Sequence, residues 1–282
     1  MPNAFSTVPA DQRVALINEK VTGPPSVELL RLSDISSQGE VVVLDNATGA
    51  GILTDNLLGL GEKTPGLTVK RVVAGDLDDT MLAFADDKAH KSPYNWDPVQ
   101  IEKIDQQSIP RPDASFTHVF ANFGIFFCQD DAKALSEAYR VLKPSGIAGF
   151  TSWKSIQWWS DLTQPALAKY LPDAPALPPP AGLFPRAGWT DPTAITSKLE
   201  KAGFEDVRVS AYRFQPLVGP EEFAEATGAL VKKVAERLWP EGAFAEHAGG
   251  IEASLLRYLK ENYADGIWDG YMTAIITLGK KP

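Results

Sequence analysis

Between Val41 and Trp153, short apolar β-branched runs alternate with stretches of helical periodicity, and this constrains the fold more than any other feature of the chain. A strand, a helix and a second strand in the same direction require a crossover. Repetition of that unit builds a parallel sheet with helices on its faces. The strands read as Val41–Asp45, Val69–Asp76, Val99–Ile104, Thr117–Asn122 and Gly146–Trp153. Each is nearly a continuous apolar run, the pattern of a strand covered on both sides. The clearest helix spans Asp130 to Lys143, where Ala134, Leu135, Ala138, Val141 and Leu142 recur at helical spacing; Pro144 and Gly146 stop it.

Beyond Trp153 the texture changes. Residues 171–185 read LPDAPALPPPAGLFP, and six prolines in fifteen positions predict an extended loop, because proline fixes φ and removes a donor. Helical and strand patterns then resume. Asp191–Ala202 reads as a helix, Val207–Phe214 as a strand, Glu221–Leu238 and Ile251–Tyr263 as helices, and Tyr271–Leu278 as a last strand. The expectation is a single domain over residues 1–282 on a seven-stranded sheet. It would comprise a ligand-binding core at 20–153, a Pro/Trp-rich loop at 154–190 and a helical lid at 216–265.

Charge and composition exclude several classes. The net charge is −9 with no basic block, whereas nucleic acids and anionic membranes are held by clustered Lys and Arg. The one cysteine, Cys128, forms no disulfide framework, and three scattered histidines make no metal-ligand spacing, so no metal is expected. No apolar run reaches the roughly 20 residues of a membrane helix. The N-terminal segment has neither a basic start nor an apolar stretch, so a cytoplasmic protein without a signal peptide is expected.

The segment that carries chemistry is VVVLDNATGAGIL, residues 41–53. A strand ends at Asp45, a tight turn holds Gly49 and Gly51, and a helix begins near Ile52. Glycine lets a ligand approach the backbone, and the helix start offers unpaired N–H groups. Thr54 stands where a dinucleotide loop has its third glycine, and Asp45 would repel a pyrophosphate. A cationic ligand suits it better. Further acids close the next strands, Asp76 in GDLDDTML and Asp105 in KIDQQS. Ligands of open parallel sheets bind outside the carboxyl ends of the strands, so three acids converge on one crevice. One can meet an ammonium group, one a ribose diol and one an adenine amino group.

In these motifs the chain resembles the class I S-adenosylmethionine-dependent methyltransferases of the ubiquinone-biosynthesis type. DNATGAG is similar to that family's D-x-G/A-x-G-x-G loop, with Ala47 where glycine is commonest. EAYRVLKPSGIAGFTSW resembles its E-x-x-R-V-L-K-P-G-G segment, with Ser145 for a glycine. The resemblance implies a Rossmann-like α/β fold with an antiparallel last strand, and S-adenosylmethionine as cofactor. It also implies a cofactor site of Asp45, Ala47, Gly49, Gly51, Asp76, Leu77, Met81, Asp105, Gln106 and Asn122. Asp76 maps to the ribose-binding acid, Asp105 with its neighbour Gln106 to the adenine contact, and Asn122 to the methionine end. Substrate contacts after strands four and five map to Phe123 and Trp153, in a chain rich in nearby aromatics (Trp158, Trp159, Phe184, Trp189).

Two departures stand out. LGEKTPGLTVKR lengthens the connection to Asp76 and reads as a surface insertion, and His118 replaces a common aspartate inside a strand. Asp78 and Asp79 read as helix-start acids. No side chain stands out as a general base. A thiol, already a few per cent thiolate at neutral pH, is therefore an easier nucleophile than a phenol. The look of LDNATGAG, SW and the Pro-rich loop is similar to fungal methyltransferases of secondary metabolism, including the gliotoxin thiomethyltransferase type. This implies a small-molecule substrate, a thiol or hydroxyl. The alternative is a catalytically idle cofactor-binding regulator.

Overall fold

In a computed structural model, which describes residues 10–179 and 188–282 with side chains from Glu19, the five apolar runs become β1 (Glu40–Asn46), β2 (Thr68–Asp76), β3 (Val99–Lys103), β4 (Phe116–Ala121) and β5 (Leu142–Ser155). Later come β6 (Glu205–Phe214) and β7 (Met272–Lys280). They form one sheet in the order β3-β2-β1-β4-β5-β7-β6. β1 pairs in parallel with β2 and β4, β2 with β3, and β4 with β5. At the far end Ser145 N–H donates to the Lys281 carbonyl, and Lys281 N–H donates to that of Gly146, both at 2.9 Å. The end of β7 thus lies beside the start of β5, and the last strand runs antiparallel.

The apolar runs fill the core as their composition requires. Val43, Leu44, Val72, Val73, Val119 and Phe120 are fully buried, each contributing roughly 1.5–3 kcal/mol relative to exposure. The crossover helices are α2 (Ile52–Lys63), α3 (Asp79–Lys91), α4 (Asp131–Val141) and α6 (Pro192–Lys201), preceded by α1 (Ala10–Leu32). Asp78, Asp130 and Asp191 cap α3, α4 and α6 by accepting from backbone N–H groups of Thr80, Lys133 and Thr193. At the other end of α4, Lys281 Nζ donates to the carbonyls of Tyr139 (2.9 Å) and Leu142 (2.8 Å), a cation set against a helix C-terminus.

Two sequence expectations change. LGEKTPGLTVKR is no insertion: α2 runs to Lys63 and β2 starts at Thr68, leaving only a short turn. β5 begins at Leu142, ahead of Pro144. The residues Lys143 to Gly146 are absorbed in a register break between Phe116↔Leu142 and His118↔Ile147, with Ser145 at φ 64°.

The described chain groups into two units, one of residues 22–154, 188–212 and 274–282 and the other of residues 10–21, 155–179 and 213–273. The first holds the strands and crossovers. The second is helical, with α5 (Gln164–Tyr170), α7 (Pro220–Leu238), α8 (Glu241–His247) and α9 (Ile251–Asn262). Within it Gly228 lets Glu252 of α9 lie against α7, where a Cβ would meet Glu252 Cγ at 2.4 Å. Trp158 packs edge-on to Phe223, which also meets Trp268. Phe184 and the 180–187 part of the proline-rich loop lie outside the described residues.

Candidate active site

The parallel register brings the ends of β1, β2 and β3 together, with Asn46 opposite Gly75 and Asp76 opposite Lys103. Asp45, Asp76 and Asp105 therefore stand at three adjacent strand ends, as the motif order predicts. Asp45 is fully buried. Its Oδ2 accepts from the hydroxyls of Thr48 (2.8 Å) and Thr54 (2.7 Å), while Oδ1 is buried with no partner. Burial pushes this carboxyl up to about 6; the two threonine hydroxyls oppose the rise and the charge of Asp76 adds to it. Thr54, the residue that departs from a dinucleotide loop, is thus the one that orients Asp45.

After β1 the chain turns sharply. Ala47 and Thr48 N–H both donate to the Gly75 carbonyl at 2.9 Å. Ala47 takes φ 107°, a strained region for an L residue. Its methyl lies where a Cβ on Gly124 would stand, 2.2 Å away. The alanine in this loop is accommodated because position 124 is glycine. Gly124→Ala should destabilise the protein by roughly 1–3 kcal/mol through overpacking. Urea unfolding checks this, with recovery expected in the double variant that also carries Ala47→Gly. The two loop glycines differ. Gly49 (φ 54°) faces open space, whereas a Cβ on Gly51 (φ 81°) would strike Trp96 at 2.8 Å. Gly49 leaves its surroundings open; Gly51 makes room for packing.

Asp76 is held from both sides. Gly49 N–H donates to Oδ2 (2.9 Å) and Asp78 N–H to Oδ1 (3.0 Å). Each oxygen keeps a lone pair for a further donor. Leu77 is 59% exposed, Met81 is half-buried on α3, and Asp79 pairs with Lys103 at 2.7 Å on the surface. Asp105 Oδ1 accepts from Gln107 N–H at 2.8 Å, and the neighbouring Gln106 has a buried Oε1 without a partner. Asn46, next to Asp45, also has an orphaned buried Oδ1.

At the end of β4, Thr151 of β5 organises the chain. Its hydroxyl donates to Asn122 Oδ1 (2.7 Å) and accepts from Phe123 N–H (2.8 Å). Asn122 Nδ2 donates to the Thr22 carbonyl at 3.2 Å. The Asn122 amide therefore already ties β4 to β5 and α1. Phe123, at φ 56°, stacks on Trp153 with centroids 4.1 Å apart and 22° between planes. Two further tryptophans have partners of their own. Trp189 is core, its indole donating to Asp131 (2.7 Å), and Trp159 is fully buried in the helical unit with its indole on the Pro178 carbonyl. Sequence reasoning missed Thr48, Thr54 and Thr151; a lone threonine carries no spacing signal.

The Glu137-x-x-Arg140 pair is a clamp. Arg140 bonds Glu137, Asp113 and the carbonyls of Arg111 and Ile109, while Glu137 accepts from Ile109 N–H at 2.8 Å. The Glu137 carboxylate holds the Arg140 guanidinium well above its ordinary range. This fixes the segment between Asp105 and β4. His118, 3% exposed and lowered by burial to about 4, is neutral inside β4.

Comparison with known proteins follows the same outline. A methyltransferase-domain family model matches residues 44–150. Methyltransferase tpcH of Aspergillus fumigatus is 26% identical over 250 residues, covering 88% of this chain and 87% of its own. The acetylaranotin bis-thiomethyltransferase of Aspergillus terreus is 26% identical over 259 residues, covering 87% of this chain and 84% of its own. A Bacillus halodurans protein proposed to be a methyltransferase shares the fold, with a TM-score of 0.54 at 20% identity over 92% of this chain and 100% of that one.

Proposed function

Because the chain is a class I S-adenosylmethionine-dependent methyltransferase, we propose that it methylates a small-molecule thiol, ahead of a hydroxyl, in secondary metabolism. The observation that carries the reading is the set of acids at adjacent strand ends, above all the orphaned, fully buried Oδ1 of Asp45. A buried carboxylate oxygen without a donor is costly unless a ligand supplies one. The groups present suit the cofactor. Asp45 would hold its cationic amino-acid portion, Asp76 its ribose hydroxyls, and Asp105 with Gln106, Leu77 and Met81 its adenine. Ala47, Gly49 and Gly51 would form the turn that receives it, and Asn122 would lie at its methionine end. When bound, S-adenosylmethionine supplies a methyl group on a positively charged sulfur, a leaving group that needs no protonation.

The work left to the protein is alignment in a dry site. The Phe123–Trp153 stack supplies a rigid apolar wall. His118 is shut inside its strand, so the wall carries no histidine base. A thiol ionises without one, its proton leaving to solvent, so the protein need only hold the thiolate in place. The likeness to a bis-thiomethyltransferase supports the same choice. A panel of dithiols, phenols and carboxylic acids, assayed at neutral pH, tests it. Turnover is expected with thiols first; methylation of phenols with none of any thiol would reject the thiol reading and leave the family untouched.

A further inference from the structure

The sheet has a second recess at its opposite edge, where the strands begin. It is a cavity of about 490 Å³ reached from the starts of β1, β2 and β5 and the approach to β3 and β4. The seven residues of β1 separate it from the acid crevice, a distance of roughly 20 Å along the strand. Its walls include Lys70, Arg71 and Lys143, opposed by Glu40 and Asp97, a local excess of one positive charge in a chain of net charge −9.

A bulge sets this up. Val41 pairs with Val69 and Val42 with Arg71, so Lys70 is an extra residue in β2. In a regular strand neighbouring side chains point to opposite faces; the bulge re-aims them, and Lys70 and Arg71 both line the cavity. Lys70 is occupied by Glu40 at 2.9 Å. Arg71 has no ion pair among the described residues, and its Nε is buried without an acceptor. A half-buried guanidinium with an orphaned N–H is unfavourable unless an acceptor arrives from outside the chain. Its planar fork matches phosphate oxygens in a way a lysine ammonium does not.

We infer that this cavity binds the phosphoryl group of a small phosphorylated molecule, gripped by Arg71 and flanked by Lys143. The inference is independent of methyl transfer. Inorganic phosphate is the probe, titrated into the full-length protein against sodium chloride at matched ionic strength. Calorimetry and the thermal midpoint are followed both without ligand and with S-adenosylhomocysteine saturating. A saturable rise in midpoint with phosphate alone is expected, unchanged when S-adenosylhomocysteine is present. Arg71→Lys keeps the charge but loses the fork and should weaken phosphate roughly tenfold; Arg71→Gln should abolish saturation. S-adenosylhomocysteine affinity should be the same in all three proteins. Equal responses to phosphate and chloride, competition by S-adenosylhomocysteine, or wild-type phosphate affinity in Arg71→Lys would each overturn the assignment.

Discussion

Asp45→Asn is expected to stabilise the ligand-free protein at pH 7 while weakening S-adenosylhomocysteine binding roughly a hundredfold or more. The carboxyl is fully buried and raised to about 6 from an ordinary 3.8, first by burial. An acid whose pKa is higher in the fold than in the unfolded chain binds its proton more tightly when folded. Its favourable contribution is present at low pH and is lost as pH rises from about 4 to about 6. Above that range the ionised group destabilises the fold by up to about 3 kcal/mol, two units at about 1.4 kcal/mol each. Asparagine carries no charge, so urea unfolding should show a gain of roughly 1–3 kcal/mol at pH 7 and little at pH 4. Binding moves the other way, because a cation beside Oδ1 is stabilised by the charge that burial penalises. A variant no more stable than wild type at pH 7 would refute this account of Asp45.

Asp76→Ala should reduce cofactor affinity at least about tenfold. Hydrogen bonds to a charged acceptor contribute roughly 1.5–3 kcal/mol each, and each decade of affinity takes about 1.4 kcal/mol. Two backbone N–H groups also lose their acceptor, those of Gly49 and Asp78, so the Gly49 turn should loosen as well. Asp79→Ala removes only an exposed pair with Lys103, worth little, and should leave affinity unchanged. Equal losses at the two positions, measured by calorimetry, would show that the ribose-binding acid has been misplaced.

The strands were legible because a buried parallel sheet writes itself as continuous apolar runs, and α4, α6, α7 and α9 because their buried stripes recur every three or four residues. α1 (Ala10–Leu32) has no counterpart in the sequence reading; it continues through Pro24 and Pro25. Pro144 reads as a stop, yet a strand bulge absorbs it. The acids of the site were legible because they close successive strands. What holds them was not: Thr48 and Thr54 turn toward Asp45, Thr151 ties Asn122 to Phe123, and Gly124 admits the Ala47 methyl from far along the chain. Such pairings arise only when the sheet brings distant residues together, and no local period encodes them. The cluster of tryptophans was legible as a composition, but not that Trp153 would stack on Phe123 while burial assigns Trp159 and Trp189 to packing.

The central claim is methyl transfer from S-adenosylmethionine to a small thiol or hydroxyl nucleophile. The most direct measurement incubates the protein with methyl-labelled S-adenosylmethionine and a mixed panel of small thiols and hydroxyl compounds, then follows the label and the S-adenosylhomocysteine formed. Label should pass into a small molecule in step with S-adenosylhomocysteine, and both signals should collapse in Asp76→Ala at limiting cofactor. Tight cofactor binding with no label transferred to any member of the panel would contradict the claim.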